Sequence, residues 1–178
     1  MKPIKTRMLV LCALFAALNA ILSQLAIPIG PVPINFVHAS IFTAVGLLGT
    51  KYGTLSQVVF VLMGAAGLPV FSGLSGGIGV IMGPAGGFII SYIFCALAAG
   101  FIMERFGRSI KTLVLAMYTG WIVTYVLGVA RFMYVTNINL AAALPVVMLP
   151  FLPGDVLKVV VSVVLINRMY VVVRSEEL

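Results

Sequence analysis

The chain has 178 residues and a net charge of +7, with 62% hydrophobic and only 8% charged residues. Soluble domains carry about 25% charged residues, and a soluble chain of this length has too little interior to bury so much apolar surface. The composition therefore excludes an ordinary soluble domain and predicts an integral membrane protein, which we expect to be all-α and, in the absence of linkers and repeats, to form a single membrane domain over residues 1–178.

Continuous apolar stretches divide the chain into candidate membrane spans. A spanning helix needs roughly 20 apolar residues, and runs that do not alternate at period two indicate helices rather than strands. The second and third stretches are short, so we expect them to be tilted or shielded by neighbouring helices. The six predicted spans run over about 8–27, 36–50, 53–68, 82–103, 110–134 and 150–172.

The basic residues fix the predicted orientation, because positive charge accumulates in cytoplasmic loops. With both termini cytoplasmic, only Arg131 and Lys158 of the 11 basic residues fall near the outer face. The basic residues are not regularly interleaved with aromatic residues and form no basic face, so we expect no nucleic-acid partner. The residues on the inner side are Lys2, Lys5, Arg7, Lys51, Arg105, Arg108, Lys111, Arg168 and Arg174.

The first span starts with basic residues, as a signal peptide does, but its apolar run continues for a full span. We therefore expect a retained helix. In "LCALFAALNA", Ala13 and Ala17 are four positions apart, and so are Ala16 and Ala20. Small residues at this spacing let helices approach closely in lipid. This alanine face indicates either a contact with a partner helix or packing within the chain's own bundle.

Two of the outer connections are unusual for loops in water. The first lid (28–35, "PIGPVPIN") and the second lid (69–87, "PVFSGLSGGIGVIMGPAGG") are rich in Gly and Pro and carry no charge. Irregular backbone at membrane depth is tolerated only where it is buried in protein or lines a cavity. We expect both to close over a pocket, with tight re-entrant turns as the alternative. The third outer connection, 134–146, is predicted to be a loop.

The sixth span holds an acid and a base, Asp155 and Lys158, which share one helix face at positions i and i+3. A charge in the hydrocarbon region costs about 2.5–3.5 kcal/mol even on lenient scales. One interpretation is an acid at a helix N-terminus and a lysine that extends towards the head groups. The other is a pair that faces a pocket and offers an acceptor and a donor to a polar ligand.

Further polar residues are candidates for the same pocket. Asn35 ends the first lid, and Ser72 and Ser75 lie in the second. Arg131 is positioned either to pair with an anionic ligand or to extend to outer head groups. His38, the only histidine, is interpreted as a hydrogen-bonded packing residue. Trp121 and Tyr118 are expected to be packing or interface residues.

The motifs of catalysis are missing from the sequence. It contains no phosphate-binding G-x-x-x-x-G-K-[ST], no H-E-x-x-H, no G-x-S-x-G and no paired carboxylates, so we expect no enzyme and no catalytic residue. Cys12 and Cys95 have no C-x-x-C spacing and no histidine cluster, so buried thiols are expected, and neither a metal site nor a cofactor. Asp155 is the only acid in the predicted spans, so an energy source would have to come from a partner.

Three ordered segments resemble a known family. "GLPVFSG" (67–73), "GPAGGF" (83–88) and "PFLPGDVLK" (150–158) are similar to signature segments of the biotin-specific S components of energy-coupling factor (ECF) transporters, the BioY family. The resemblance extends over nearly the whole chain, from "IPIGPVPI" to the sixth span.

The resemblance implies an S-component bundle of six membrane helices in a prokaryotic plasma membrane, with an outward-facing pocket closed by the two lids. It implies biotin as the transported ligand, and a transmembrane coupling protein and two cytoplasmic ATPases as partners. The alanine face would contact the coupling protein. Asp155 and Lys158 correspond to pocket residues of the family, and Ser75 is the nearest match to a third polar group.

Biotin fits these residues chemically, since its ureido group presents two N–H donors and an acceptor beside an apolar ring. Val70, Phe71 and Ile81 are expected to cover the rings. The sequence departs from the family pattern at Ala85 and Phe88, where Thr and Tyr are usual, and at Asn35 and Val37, where Thr and Gln are usual. The alternatives are an S component or carrier for another vitamin-like molecule, and a structural membrane subunit.

Overall fold

The computed structural model describes the backbone of residues 3–28 and 31–174 and the side chains of residues 6–28 and 31–170. These residues form seven helices, and their only β pairings are the isolated bridges Ile27–Ile34 and Phe71–Ser75. The predicted all-α fold is confirmed. In chain order the helices are α1 (Pro3–Gln24), α2 (Val37–Ala65), α3 (Ile78–Met82), α4 (Gly86–Phe106), α5 (Ile110–Thr136), α6 (Leu140–Val147) and α7 (Leu152–Arg174).

Four of the described helices are long and apolar enough to cross a bilayer, namely α1 over Thr6–Gln24, α2, α4 and α5. α6 and residues Leu152–Tyr170 of α7 pass the same test together as a pair bent by 51°. By length and composition the described residues thus supply four membrane-crossing helices, or five with the bent pair. The number of spans depends further on the path of α2.

α2 consists of two helices joined by a sharp reversal. Gly49 has φ 80° and ψ 174°, a conformation that residues with a side chain rarely adopt. Residues eight positions apart in a straight helix are separated by about 12 Å. A Cβ atom at Gly53 would nevertheless lie 2.7 Å from the Cα atom of Val45. The two halves therefore lie side by side, close to the two short helices predicted at 36–50 and 53–68, with the break at Gly49.

Because of this reversal, both ends of α2 lie at the same end of the bundle. Asn35, before α2, donates from Nδ2 to the Oγ atom of Ser72, beyond α2, at 3.1 Å. A straight helix of 29 residues would separate its ends by about 43 Å. At the opposite end of the bundle, the Thr50 N–H donates to Glu104 Oε1 at 2.9 Å, which fastens the reversal to the end of α4.

The outer segment 134–146 is not simply a loop as predicted, since most of it belongs to α6. Asn137 ends α5 with a left-handed backbone (φ 55°). The side chain of Asn139 then caps α6 by accepting the Ala142 N–H at 2.9 Å. The prediction was wrong here because it did not weigh this capping residue before a run of Leu and Ala. The second lid likewise contains a short helix, α3.

The core lies between α2, α4 and α5. Phe42 and Trp121 meet edge to face with ring centroids 5.4 Å apart, and Cys95 is completely buried beside them. Cys12 is also buried, and both cysteines are free thiols. The prediction of two buried cysteines is confirmed.

The close approach at the reversal gives a stability test. Gly53→Val would press a side chain into the backbone of Val45, which cannot move aside cheaply. We expect a loss of about 1–3 kcal/mol, typical of overpacking, measured as a lower midpoint of thermal unfolding in detergent. Gly79→Ala is the control, because a Cβ atom there meets nothing within 4 Å. Equal midpoints for the two variants would contradict the side-by-side arrangement.

Candidate functional site

A cavity of about 210 Å³ lies between the two lids. Its walls are mainly apolar, and four of the predicted ligand-binding residues lie on it: Asn35, Phe71, Ser72 and Ser75. The two lids thus meet over a common space, as the sequence predicts. The other residues that line this outer cavity are Ser23, Pro31, Val32, Pro33, Phe60, Val80, Ala85, Phe88, Ile89 and Tyr92.

A second pocket, of about 30 Å³, adjoins the outer cavity and contains the acid and the base. Asp155 and Lys158 line this inner pocket together with His38, Trp121, Thr124, Tyr125 and Phe151. The two spaces share a wall formed by Val32, Pro33, Asn35, Phe88 and Tyr92. A molecule that enters between the lids therefore approaches the charged pair.

Asp155 and Lys158 form a buried ion pair. Lys158 Nζ lies 3.0 Å from Asp155 Oδ1, and the two residues are only 3% and 5% exposed. The lysine therefore does not extend towards the head groups, which was one of the two interpretations of the sequence. The Tyr125 hydroxyl donates to the other carboxylate oxygen, Oδ2. Sequence reasoning did not identify Tyr125, since nothing in the spacing of α5 relates it to a residue in α7.

The start of α7 explains how the acid is placed there. Pro153 occupies the first turn, where a missing N–H does no harm, and Asp155 follows within that turn. Its carboxylate is stabilised by the positive end of the helix dipole. Lys158, one turn later on the same face, completes the pair. Local sequence thus supplies two of the compensations that a buried acid needs, a counter-charge and a helix N-terminus.

His38 is a packing residue, as predicted, but it also lines the inner pocket. Its Nε2 atom lies 3.3 Å from Thr124 Oγ1, and its ring meets Tyr92 edge to face at 5.2 Å. These contacts fix the imidazole beside the ion pair.

The lids are joined to each other by polar contacts. Asn35 donates to Ser72 Oγ at 3.1 Å, and its Oδ1 atom accepts the Val37 N–H at 3.3 Å. Ser75 donates to the Ser72 carbonyl at 2.9 Å. Two of the predicted polar residues, Ser72 and Ser75, thus partly hold one another.

The second lid is fastened to the end of α1 by residues that the sequence did not single out. The Ser23 hydroxyl donates to the Val70 carbonyl. Gln24 donates to the Phe71 carbonyl at 3.0 Å and accepts the Leu74 N–H at 2.9 Å. Leu74 has a left-handed backbone, with φ 53°, which is costly for a residue with a side chain. Gln24 therefore holds the lid in a conformation that Leu74 alone would disfavour.

Phe71 anchors the same lid in the core. Its ring is 3% exposed and meets Phe60 edge to face, with centroids 5.6 Å apart. The ring fits against Gly64, where a Cβ atom would lie only 2.0 Å away. Phe71 is thus both a wall of the cavity and the anchor of the lid.

The structure places three predicted ligand-binding residues outside the lining of both cavities. Val70 and Ile81 pack against the core, and Val80 lines the outer cavity instead. Arg131 donates to the Met82 carbonyl at 2.6 Å, and its guanidinium lies 5.6 Å from the centre of the Tyr134 ring. Arg131 therefore braces the second lid from the outer end of α5.

The alanine face of α1 is divided by the structure. Ala16 is 1% exposed and Ala20 is partly buried, and both pack against the chain's own core. Ala13 and Ala17 are exposed on the surface of α1. Of these four alanines, only Ala13 and Ala17 are free to meet a partner helix.

Three of the four departures from the family pattern lie in the site. Asn35, Ala85 and Phe88 line the outer cavity, and Asn35 and Phe88 also line the inner pocket. Val37 is completely buried in the core, away from both.

Comparison with known proteins gives concordant matches. A family model described as the BioY family matches residues 1–175. The biotin transporter BioY of Rhizobium etli is 36% identical over 171 residues, which cover 90% of this chain and 91% of the relative. The biotin transporter BioY of Thermotoga maritima is 33% identical over 163 residues, covering 92% and 95%. The crystal structure of an S component for biotin from an ECF-type ABC transporter aligns with a TM-score of 0.88 and 33% identity, over 95% of this chain and 93% of that one.

The anchoring of the second lid can be tested without a ligand. Gln24→Leu removes the hydrogen bonds to Phe71 and Leu74, which contribute about 0.5–1.5 kcal/mol each. We expect the amide groups of residues 70–75 to exchange hydrogen at least several times faster, as measured by mass spectrometry. Thr119→Val is the matched control, since Thr119 bonds only to a carbonyl of its own helix. Unchanged exchange in Gln24→Leu would show that the lid is held by other contacts.

Proposed function

The chain belongs to the BioY family, and from this membership we propose that it is the biotin-binding S component of an ATP-driven ECF transporter. It is a transport protein rather than an enzyme. The observation that carries the choice of site is the buried Asp155–Lys158 pair, which adjoins a cavity closed by two uncharged lids.

The polar groups of the inner pocket match the polar groups of biotin. Asp155 retains lone pairs that can accept an N–H of the ureido group. Lys158 has three N–H donors, of which one is directed at Asp155, so it can donate to the ureido oxygen or pair with the valerate carboxylate. A site built to hydrogen-bond a ligand rejects analogues that leave its polar groups unpaired. The pair would therefore select biotin over plain fatty acids.

The outer cavity suits the apolar part of biotin. Phe71, Phe88 and Val32 present apolar surface to it, while Asn35, Ser72 and Ser75 supply a few polar groups. The cavity of about 210 Å³ is smaller than the ligand pockets of about 300–1,000 Å³ that are usual for molecules of this class. We propose that the lids separate when biotin enters and close over it afterwards.

We propose six membrane spans with both termini cytoplasmic. The spans are α1, the two halves of α2, α4, α5 and α7, with α6 lying in an outer connection. The reversal at Gly49 supports the separate counting of the halves of α2. The positive-inside rule supports the orientation, because Lys51 and Arg108 line a space at the end of the bundle where α2 reverses, opposite the lids. The lids would then face the outside of a prokaryotic plasma membrane.

We propose that a transmembrane coupling protein and two cytoplasmic ATPases complete the transporter. The described cavities offer a binding site, and the sequence carries no phosphate-binding loop to use ATP itself. The exposed pair Ala13 and Ala17 gives α1 a surface where a helix of the coupling protein can approach closely. Ala16 lies in the core of the chain and Ala20 packs against it, so both are left out of this interface.

A second candidate is an S component for another small vitamin-like molecule. It is favoured by the departures at Asn35, Ala85 and Phe88, all of which line the outer cavity. These residues change the shape and hydrogen-bonding groups of the site while leaving the ion pair in place.

The test is a calorimetric titration of the purified, detergent-solubilised chain with biotin. Asp155→Asn and Lys158→Ala each leave the other member of a buried pair without its partner. We expect each to weaken binding by about 2–5 kcal/mol, or roughly 30-fold and more, with the helical fold retained. Thr119→Val is the control, since Thr119 lines neither cavity and its hydroxyl bonds to a carbonyl of its own helix. A folded parent that binds other vitamins but not biotin would support the second candidate instead.

A further inference from the structure

Trp121 carries a buried donor without an acceptor. The residue is 4% exposed, and its indole Nε1 has no hydrogen-bond partner among the described residues. In native structures nearly all buried donors are bonded, so an orphan of this kind calls for an explanation. A donor that serves to bind a ligand is one explanation, provided that the residue lies in a binding site.

Trp121 meets that condition. It lines the inner pocket together with Asp155 and Lys158. Of the described side chains that bury an unbonded polar atom, Trp121 alone lines the outer cavity or the inner pocket. The others are Asn19, Ser40, Thr50, Thr54 and Arg108.

The other polar groups of the inner pocket already have partners. Lys158 and Tyr125 occupy one oxygen each of Asp155, and His38 faces Thr124. Besides the remaining lone pairs of Asp155, the unused capacity is that of donors, namely the indole N–H and the free N–H groups of Lys158. The pocket has a volume of about 30 Å³, more than the roughly 10–15 Å³ that a cavity needs to hold one water-sized group. Trp121 and Lys158 both line this pocket, so an oxygen that enters it lies beside the two residues that carry these donors.

The indole ring is also held in place. The indole ring lies against three other rings. The distances between ring centroids are 5.4 Å to Phe42, which it meets edge to face, 5.9 Å to Tyr118 and 6.2 Å to His38. A donor fixed by packing loses little freedom when it binds, so it adds to affinity and to selectivity.

We propose that Trp121 is a specificity-determining residue that donates its indole N–H to an acceptor oxygen of the ligand beside Lys158. The inference rests on the proposed function, because the ligand is taken to be biotin. Biotin has two such oxygen groups, the ureido carbonyl and the valerate carboxylate, and the test separates them.

Trp121 is the only tryptophan in the chain, which allows a substitution of one atom. Replacement of tryptophan by β-(3-benzothienyl)alanine during expression puts sulfur in place of the N–H and keeps the shape of the ring. We expect biotin affinity to fall roughly three- to tenfold, as for loss of one neutral hydrogen bond, with an unchanged midpoint of thermal unfolding. Trp121→Phe provides a second variant that lacks the same donor. An unchanged affinity in both would overturn the proposal.

Two analogues show which oxygen accepts and exclude a purely structural role. In 2-thiobiotin the ureido oxygen is replaced by the weaker acceptor sulfur, and in biotinol the carboxylate is replaced by an alcohol. We expect the loss of affinity caused by the sulfur-containing residue to shrink for one analogue only, the one in which the accepting oxygen is replaced by a weaker acceptor. An equal loss for biotin and both analogues would indicate a change in the shape of the pocket and contradict the proposal.

The same tryptophan reports directly on the site. If the indole N–H bonds to the ligand, its fluorescence emission shifts when biotin is added to the parent chain, and Tyr118→Phe leaves this shift unchanged. A parent that binds biotin tightly without any change in emission would count against the contact. A folded parent that binds no biotin would refute the proposed function, and the spectral titration repeated with other vitamins would then decide whether Trp121 contacts a different ligand.

Discussion

The site depends on one interaction, the ion pair between Asp155 and Lys158 inside an apolar bundle. Burial of two charges costs several kcal/mol for each ion, and the attraction between them often does no more than offset this cost. The bundle adds a hydrogen bond from Tyr125, and α7 contributes its N-terminus. Such a pair is poor evidence for stability. Its position beside a lidded cavity supports the proposed role in binding, because the same groups that compensate one another can also hold a polar ligand.

The rest of the fold places this pair beside a cavity that the two lids close. The reversal at Gly49 returns the chain to the outer end, so that Asn35 and Ser72 can meet over the cavity. Gln24 then ties the second lid to α1. α1 also carries the exposed alanines proposed to meet the coupling protein. The helix proposed to contact the partner is therefore also the helix that holds the second lid.

The sequence predicted those features that depend on local patterns. Composition and hydrophobic periodicity were enough to predict the shared helix face of Asp155 and Lys158, the uncharged lids and the two short helices around Gly49. The contacts of Tyr125, Gln24 and Trp121 could not be predicted in this way, because each depends on which residue of a distant element lies opposite. Ile81 could not be placed from the sequence for a similar reason. The rotation of α3 about its axis decides whether Ile81 or Val80 faces the cavity. Departures such as Phe88 are visible in sequence, but only the fold shows that they line the site.

The central claim is that the buried charges serve binding and not stability. It is tested most directly by the triple variant Asp155→Leu, Lys158→Met and Tyr125→Phe, which removes the whole network without leaving a partner unpaired. We would measure thermal unfolding and biotin binding of this variant beside the parent. The account predicts an equal or higher unfolding midpoint together with loss of biotin binding. A variant that unfolds, or one that still binds biotin as tightly as the parent, would contradict it.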